Sequence, residues 1–368
     1  MKQGVTAEKI LDKVLNCSKQ RKHTSEGNYF FIIPGQFGPR WLLPSKPPAG
    51  ALDVLKQWTP YNFTSKLKWH ALLLLYRFGH LGLVPKIKQI NGSITSVLHV
   101  PQTDLFGIPL IYVGTPGKQQ KAVATIIEPN KGTPLAVLKV ALEKKAIESL
   151  QREAMILKEI TKFKVPYIPT IISTDKDENY TWQTMVRGCL SSTKLTRKHI
   201  DWLLSLPVTG ATTFYKQREE LKQRLAKPND MRKVDINLLA SAIDNITGNE
   251  VPLLLVHGDF TPWNLKILPN GCLGAIDWEN GQLQGLPLWD LCHFHFMQAH
   301  LFKKNPLKSL INNYLTNFYL DKLTVSSDNK ISLILIYLVK NIVSGYRSGV
   351  SNDYKKYLLG QLAKVLAV

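Results

Sequence analysis

The spacing of hydrophobic positions changes character twice along the chain. Up to about residue 100 it is irregular. An apolar run at 30–34 gives way to Gly35, Gly38, Arg40 and Trp41, then to a proline-rich stretch at 44–48, and residues 67–78 show a helical spacing. From Leu110 onward, short apolar runs alternate with turn residues. Residues 111–113 end in Gly114-Thr-Pro-Gly117, residues 122–127 end in Glu128-Pro-Asn-Lys-Gly132, and residues 135–140 form a third run. Two turn-rich breaks between three strands predict an antiparallel meander. Residues 146–160 then carry Leu150, Ala154, Leu157 and Ile160 at the period of a helix. Residues 167–173 and 181–186 close what reads as a five-stranded antiparallel sheet with one helix.

The second half is mostly helical, over residues 198–206, 211–225, 236–246 and from 288 to the C-terminus. One β-rich insert, residues 253–277, interrupts it. Within the insert, Pro269-Asn270-Gly271 separates apolar runs at 265–268 and 273–276, and Asn-Gly in that position predicts a hairpin. The most apolar stretches are 71–84, broken by Arg77 and His80, and 331–343, broken by Lys340. Both are too short for a membrane span and predict buried helices. Residues 1–22 are charged throughout and lack the apolar core of a signal peptide, so the expected location is the cytoplasm.

Composition narrows the partners more than the fold. With 44% hydrophobic and 20% charged residues over 368 positions, the chain has globular composition, enough for two or three structural units. Lys and Arg number 47 against 27 Asp and Glu, a net charge of +20. That excludes an acidic solvating protein and favours anionic partners. Residues 1–100 hold 14 basic and 4 acidic side chains, half of the net charge in about a quarter of the length. Four cysteines are too few for a disulfide framework, which suits a reduced compartment. Cys292, His293, His295 and His300 lie close in sequence. On a helix starting near Leu288 only 292 and 295 share a face, and no Cys-x-x-Cys exists, so packing among Trp289, Phe294 and Phe296 is preferred to a zinc site.

The chemistry concentrates in His257-Gly-Asp-Phe-Thr-Pro-Trp-Asn264 and Ile276-Asp277-Trp-Glu279. Asp259 and Asn264 share a loop after a strand. The hairpin that begins there returns the chain, so Asp277 should come back near Asn264. Oxygen-only ligands of this kind suit Mg²⁺, which takes one or two carboxylates plus substrate phosphates. Asp259 is then left to accept a proton from an attacking hydroxyl. This is the logic of phosphoryl transfer, where positioning and charge neutralisation carry the catalysis. The five-residue step from Asp259 to Asn264 equals that of the protein-kinase His-Arg-Asp-x-x-x-x-Asn loop, with Gly258 in place of the Arg.

The pair of motifs resembles the aminoglycoside phosphotransferase and choline kinase superfamily, small-molecule kinases with a protein-kinase-like fold, over about residues 106–300. The resemblance implies an α+β, bilobal architecture. It comprises an N-terminal extension (1–105), a small lobe with the five-stranded sheet and helix (106–187), and a mainly helical large lobe with the catalytic loop (188–368). It implies that Lys139, in Ala136-Val-Leu-Lys139-Val, contacts nucleotide phosphates, and that Glu153, in Arg152-Glu-Ala-Met-Ile-Leu157, holds it, with Glu148 as the other candidate. Gly114 and Gly117 would flank the phosphate-covering loop, and the backbone of Met185 and Val186 would hydrogen-bond adenine. Asn264 and Asp277 become the metal ligands, Asp259 the base, and ATP and Mg²⁺ the cofactors. His257 and Asp290 would support the loop, and Glu279 would stand behind the metal or face solvent.

The implied function is transfer of the γ-phosphate of ATP to a small-molecule hydroxyl. Residues 189–250, where acceptor contacts are expected, hold 10 basic and 7 acidic side chains. A polycationic antibiotic would be steered poorly, so a sugar or glycan-type acceptor is favoured. The opposing reading is a basic binding module for nucleic acid or an anionic membrane, without catalysis. Against it, the basic residues are dispersed and no aromatic–basic stacking groove is visible. A protein kinase is disfavoured by the absence of His-Arg-Asp, Asp-Phe-Gly and Ala-Pro-Glu. Residues 1–100 are either a decoration of the small lobe or an element for substrate or peripheral membrane contact; oligomeric state is open.

Overall fold

The computed structural model describes residues 5–18, 21–22, 29–91, 97–175, 177, 179–227, 231–303, 306–348 and 351–367. The chain forms two compact units: Met1–Leu190 with Lys266–Asn270, and Ser191–Leu265 with Gly271–Val368. The mixed α+β class expected from the sequence is what is found.

The first unit is built on one antiparallel sheet. The meander lies at its centre: Phe106–Val113, Lys121–Ile127 and Pro134–Ala141 pair in succession, then Tyr180–Gln183 and Ile171–Thr174 follow. Those are the five strands expected. The sheet does not stop there. Gly38–Pro44 pairs with Phe106–Val113, placing Trp41 opposite Tyr112, and Tyr29–Gly35 and Lys88–Asn91 continue the same path. Residues before 106 therefore supply strands of the same sheet. The sequence hid this because Pro34, Gly35, Gly38 and Pro39 interrupt the alternation that marks a strand.

Alternation within the strands fills both faces. Leu42, Ile111, Leu138 and Trp182 point to one cluster, closed by Ile10, Leu11, Val14 and Leu15 of the helix Ala7–Leu15. Trp41, Leu43 and Leu110 point to the other, covered by the helices Ala51–Lys56 and Phe63–Arg77 through Leu55, Trp69 and Tyr76. A strand buried on both faces is why 135–140 reads as a continuous apolar run. The helix Lys144–Thr161 follows the third meander strand, and its Ala146 and Leu150 pack on Ala141.

The second unit is helical around a small sheet. Val208–Thr213 and Gln282–Gly285 flank the central strand Glu250–Val256, which runs straight into His257. The sequence reading put a helix over 211–225. The structure instead has a strand to Thr213 and a helix from Phe214 to Ala226. The β-branched run Val208-Thr-Gly-Ala-Thr-Thr213 prefers the ladder, and the Thr213 hydroxyl caps the helix by accepting from the Lys216 N–H at 3.1 Å. Among the described residues no helix is long and apolar enough to cross a membrane.

Candidate active site

In the first unit Lys139 and Glu153 form a buried ion pair. Lys139 sits mid-sheet, opposite Val123 on one side and Thr181 on the other. Its Nζ lies 2.6 Å from Glu153 Oε1, with the two side chains 9% and 0% exposed. The second carboxylate oxygen accepts from Gln183 Nε2 at 3.1 Å. Burying two charges is costly unless they are matched and their remaining lone pairs are satisfied, and here both conditions hold. Glu148, on the same helix, is exposed. The expected partner is therefore the one the structure joins to Lys139.

The loop after Phe106–Val113 is stitched as a turn. Gly114 N–H donates to the Lys121 carbonyl at 2.9 Å, and Gln120 Nε2 donates to the Gly114 carbonyl at 3.0 Å. Gly117 lies at its exposed tip, where an added Cβ would meet nothing. Met185 and Val186 lie in the non-strand stretch 184–188 after Tyr180–Gln183. That stretch ends at Gly188, where a Cβ would come within 2.4 Å of the Ile267 carbonyl oxygen; only glycine allows the close approach.

In the second unit the loop 257–264 is braced by side chains that bond to its backbone. Gly258 has φ +81°, and a Cβ there would stand 2.0 Å from the Asn280 carbonyl oxygen. The position occupied by arginine in protein kinases has no room for any side chain here. Asp290, on the helix Trp289–Phe302, accepts from the His257 N–H at 2.8 Å and from the Gly258 N–H at 2.9 Å. Burial pushes the Asp290 carboxyl up from its ordinary range, while nearby His257 and these two N–H groups pull it back.

His257 is a brace. Its Nδ1 accepts from the Asp259 N–H at 3.2 Å, so Nε2–H donates to the Ile276 carbonyl at 2.9 Å. Asn264 closes the loop by donating its amide to the Asp259 carbonyl at 3.0 Å, which turns its Oδ1 away from that bond. The Ile276 N–H donates to the Asn264 carbonyl at 2.9 Å. Asp277, the next residue, is thereby tied close to Asn264, as the hairpin argument required. It adopts φ +67°, a left-handed conformation that a non-glycine residue holds only when its surroundings impose it. Trp278, fully buried with Nε1 donating to the Ala275 carbonyl at 3.2 Å, is one such constraint.

One residue of this site escaped the sequence reading. His293, assigned to helical packing, places Nε2 2.9 Å from Asp259 Oδ1, and its Nδ1 lies 3.0 Å from the Tyr337 hydroxyl. Tyr337, on the helix Lys330–Ser348, is 1% exposed, and burial holds its phenol far above its ordinary pKa. A carboxylate can only accept, so Nε2–H donates to Asp259, and a neutral imidazole then accepts the Tyr337 O–H at Nδ1. Phe296 stacks on the Tyr337 ring at 5.6 Å and Trp289 meets it edge-on at 5.1 Å, fixing the phenol. A signal was available: His293 lies three residues after Asp290, one turn along the helix face that already meets the loop.

The loop of the second unit offers one half-buried carboxylate, Asp259, with one oxygen already accepting a hydrogen bond. Asn264 and Asp277 lie on adjoining backbone in that same unit. The first unit, by itself, holds an ammonium group whose counter-charge is fixed.

The sequence model of the phosphotransferase enzyme family matches residues 130–319, just over half of the chain. No curated protein matches the chain. Among solved structures, choline kinase LicA from Streptococcus pneumoniae is 16% identical with a TM-score of 0.46, over 74% of this chain and 94% of that one. A putative fructosamine-3-kinase from Thermobifida fusca YX-ER1 is 15% identical with a TM-score of 0.47, over 71% and 95%. Macrolide 2'-phosphotransferase MphH from Brachybacterium faecium is 11% identical with a TM-score of 0.47, over 68% and 91%.

Proposed function

The chain belongs to the phosphotransferase enzyme family, and on that premise we propose that it moves the γ-phosphate of ATP to a hydroxyl of a small molecule of sugar or glycan type. The observation that carries the reading is the closed loop 257–264. It ties Asp259 down by its backbone N–H and carbonyl and leaves its carboxylate to side-chain donors alone, while Asp290 and His257 are committed to the backbone.

Asp259 is the base. It takes the proton of the acceptor hydroxyl as that oxygen bonds to the γ-phosphorus and the bond to the β,γ-bridging oxygen breaks, releasing ADP. His293 is a positioning residue: its donation to Oδ1 fixes the carboxylate and leaves Oδ2 to meet the proton. Lys139 contacts the phosphates, with Glu153 as its counter-charge. Gly114 and Gly117 frame the loop that covers the phosphates, and the backbone of Met185 and Val186 receives the adenine.

Asn264 and Asp277 fit Mg²⁺. Both offer oxygen, and the Asn264 amide nitrogen is taken up by the Asp259 carbonyl, so its oxygen is the atom left for a cation. When bound, the ion neutralises charge on the phosphate oxygens. The acceptor class rests on charge: residues 189–250 carry 10 basic against 7 acidic side chains, a poor lure for a polycation.

Thermal unfolding with and without Mg²⁺·ATP tests the nucleotide site. At about 100 times Kd a ligand stabilises the native state by roughly 2.7 kcal/mol. The wild type should shift upward only when Mg²⁺ is present, and Asp277→Asn should lose the shift. A folded wild type that shifts with neither nucleotide nor metal overturns the reading. Sugars are the first acceptors to screen.

A further inference from the structure

The helix Phe63–Arg77 has two faces, and only one is accounted for by the fold. Trp69, Leu73 and Tyr76 are buried against the sheet. Trp69 Nε1 donates to the Leu55 carbonyl at 3.3 Å and the Tyr76 hydroxyl to the Pro44 carbonyl at 3.0 Å, so this side is locked. The opposite side carries Phe63, Leu67 and Leu74, continued by Phe78 at the C-cap, exposed by 79%, 63%, 56% and 61%. At 100° per residue these four fall within an arc of about 60°. Leu83, 79% exposed, follows them just past the helix end. Scattered surface leucines need no explanation, but a contiguous stripe on a rigid platform does.

Charge says what covers it. From Trp58 to Thr103 the sequence contains no Asp or Glu, while Lys66, Lys68, Arg77, Lys86 and Lys88 all fall inside that stretch. Those five side chains are exposed. A second copy of a chain carrying +20 would meet like charge with like charge, which opposes pairing through this face. A nucleic acid would suit the cations but leave the aliphatic stripe in water. An anionic bilayer suits both: apolar side chains sink into the acyl boundary while Lys and Arg meet the headgroups.

We propose that residues 63–88 are a membrane-surface element, with the Phe63–Arg77 helix lying in the plane of an anionic lipid bilayer, its stripe of Phe63, Leu67, Leu74 and Phe78 facing the acyl chains. The helix is 15 residues long and lies on the surface; it does not span. The inference does not depend on the phosphotransfer reading. It places the enzyme where an acceptor carried on a lipid would be presented.

Co-sedimentation with phosphatidylglycerol–phosphatidylcholine vesicles and with pure phosphatidylcholine vesicles tests it on the full-length protein. The wild type should bind the anionic vesicles, bind pure phosphatidylcholine at least ~10-fold more weakly, and release as salt is raised. The fourfold variant Phe63→Ser, Leu67→Ser, Leu74→Ser, Phe78→Ser should lose at least ~10-fold in affinity while keeping its melting temperature, since these side chains are exposed. If the fourfold variant does not fold, Phe63→Glu and Leu67→Glu made singly should each weaken binding. The proposal is overturned if the wild type ignores anionic vesicles, if folded variants bind as well as wild type, or if the stripe proves to be a dimer contact, with wild type dimeric and the variants monomeric in solution.

Discussion

Lys139 and Asp259, the phosphate contact and the base of the proposed reading, are held in their two units by opposite means. Lys139 is almost wholly buried and matched by a full opposite charge, whose remaining oxygen is met by Gln183. Asp259 is half-buried and meets a ring nitrogen of His293 and the Thr261 hydroxyl, while Asp290 takes up the backbone N–H groups of its loop. The difference suits the roles proposed for the two groups. A phosphate contact must stay charged and stay still, so a salt bridge on a sheet serves it. A base must keep an oxygen available for a proton, so it is steadied by a hydrogen bond that leaves the other oxygen free of that partner.

The contrast breaks most sharply at the base. Asp259→Asn keeps the shape of the loop and removes the proton acceptor. Phosphoryl transfer should fall by about 10²–10⁴-fold, with the melting temperature close to that of wild type. An active Asp259→Asn protein would remove Asp259 as the base and leave the loop a structural feature.

The ion pair should behave in the reverse way, with stability failing along with activity. Glu153→Gln leaves Lys139 buried without its counter-charge, and breaking a buried pair costs about 3–5 kcal/mol. Lys139→Met/Glu153→Leu removes both charges and should recover most of that stability while remaining inactive. Denaturant unfolding of the single and double variants measures the difference. Equal stability of the single variant and wild type would show that the pair is not the clamp described.

A third test uses a buried group that does no chemistry. His199 is fully buried, with Nδ1 accepting from the Thr196 N–H at 3.1 Å and Nε2 2.7 Å from the Ser191 hydroxyl. Burial lowers its pKa from 6.5 to about 4. The unfolded chain then binds a proton that the folded chain refuses. The contribution is fully present above about pH 6.5, declines as pH falls, and is lost by about pH 4, a change of about 3 kcal/mol. His199→Gln should flatten the stability–pH curve across that window.

How much of this was legible in the sequence differs between the two units for the same physical reason. Lys139 could be read because a lone charge stands out in a strand buried on both faces; Glu153 could not be told from Glu148 by spacing, and only the family resemblance of Arg152-Glu-Ala-Met-Ile-Leu157 singled it out. The loop 257–264 could be read because its signature is local, the five-residue step from Asp259 to Asn264, even though part of its bracing comes from Asp290 and Ile276. The strands at 29–44 could not, because proline and glycine break their alternation and their pairing with Phe106–Val113 spans more than sixty residues. Gln282–Gly285 is a short edge strand whose Gly285 closes on Val256, a contact no local pattern announces. His293 was missed because its partner, Asp259, is 34 residues away and its neighbours in sequence are apolar.

His293 gives the smallest effect and the finest test. If it only packed, His293→Leu would change stability and leave the kinetics of the folded protein alone. If it fixes the Asp259 carboxylate, kcat should fall by about 10-fold, less than the ~10²–10⁴-fold of the group that takes the proton itself, with the KM for ATP unchanged. His293→Gln can still donate an amide N–H toward Oδ1 and should recover part of the loss. Tyr337→Phe removes the donor that keeps the proton on Nε2, so Nδ1 can take that proton and leave Asp259 facing a ring nitrogen with no hydrogen to give. It should therefore lower kcat in the same direction, and in an Asp259→Asn background neither substitution should lower the residual rate further. Additive losses in that background would mean that His293 acts on something other than the base.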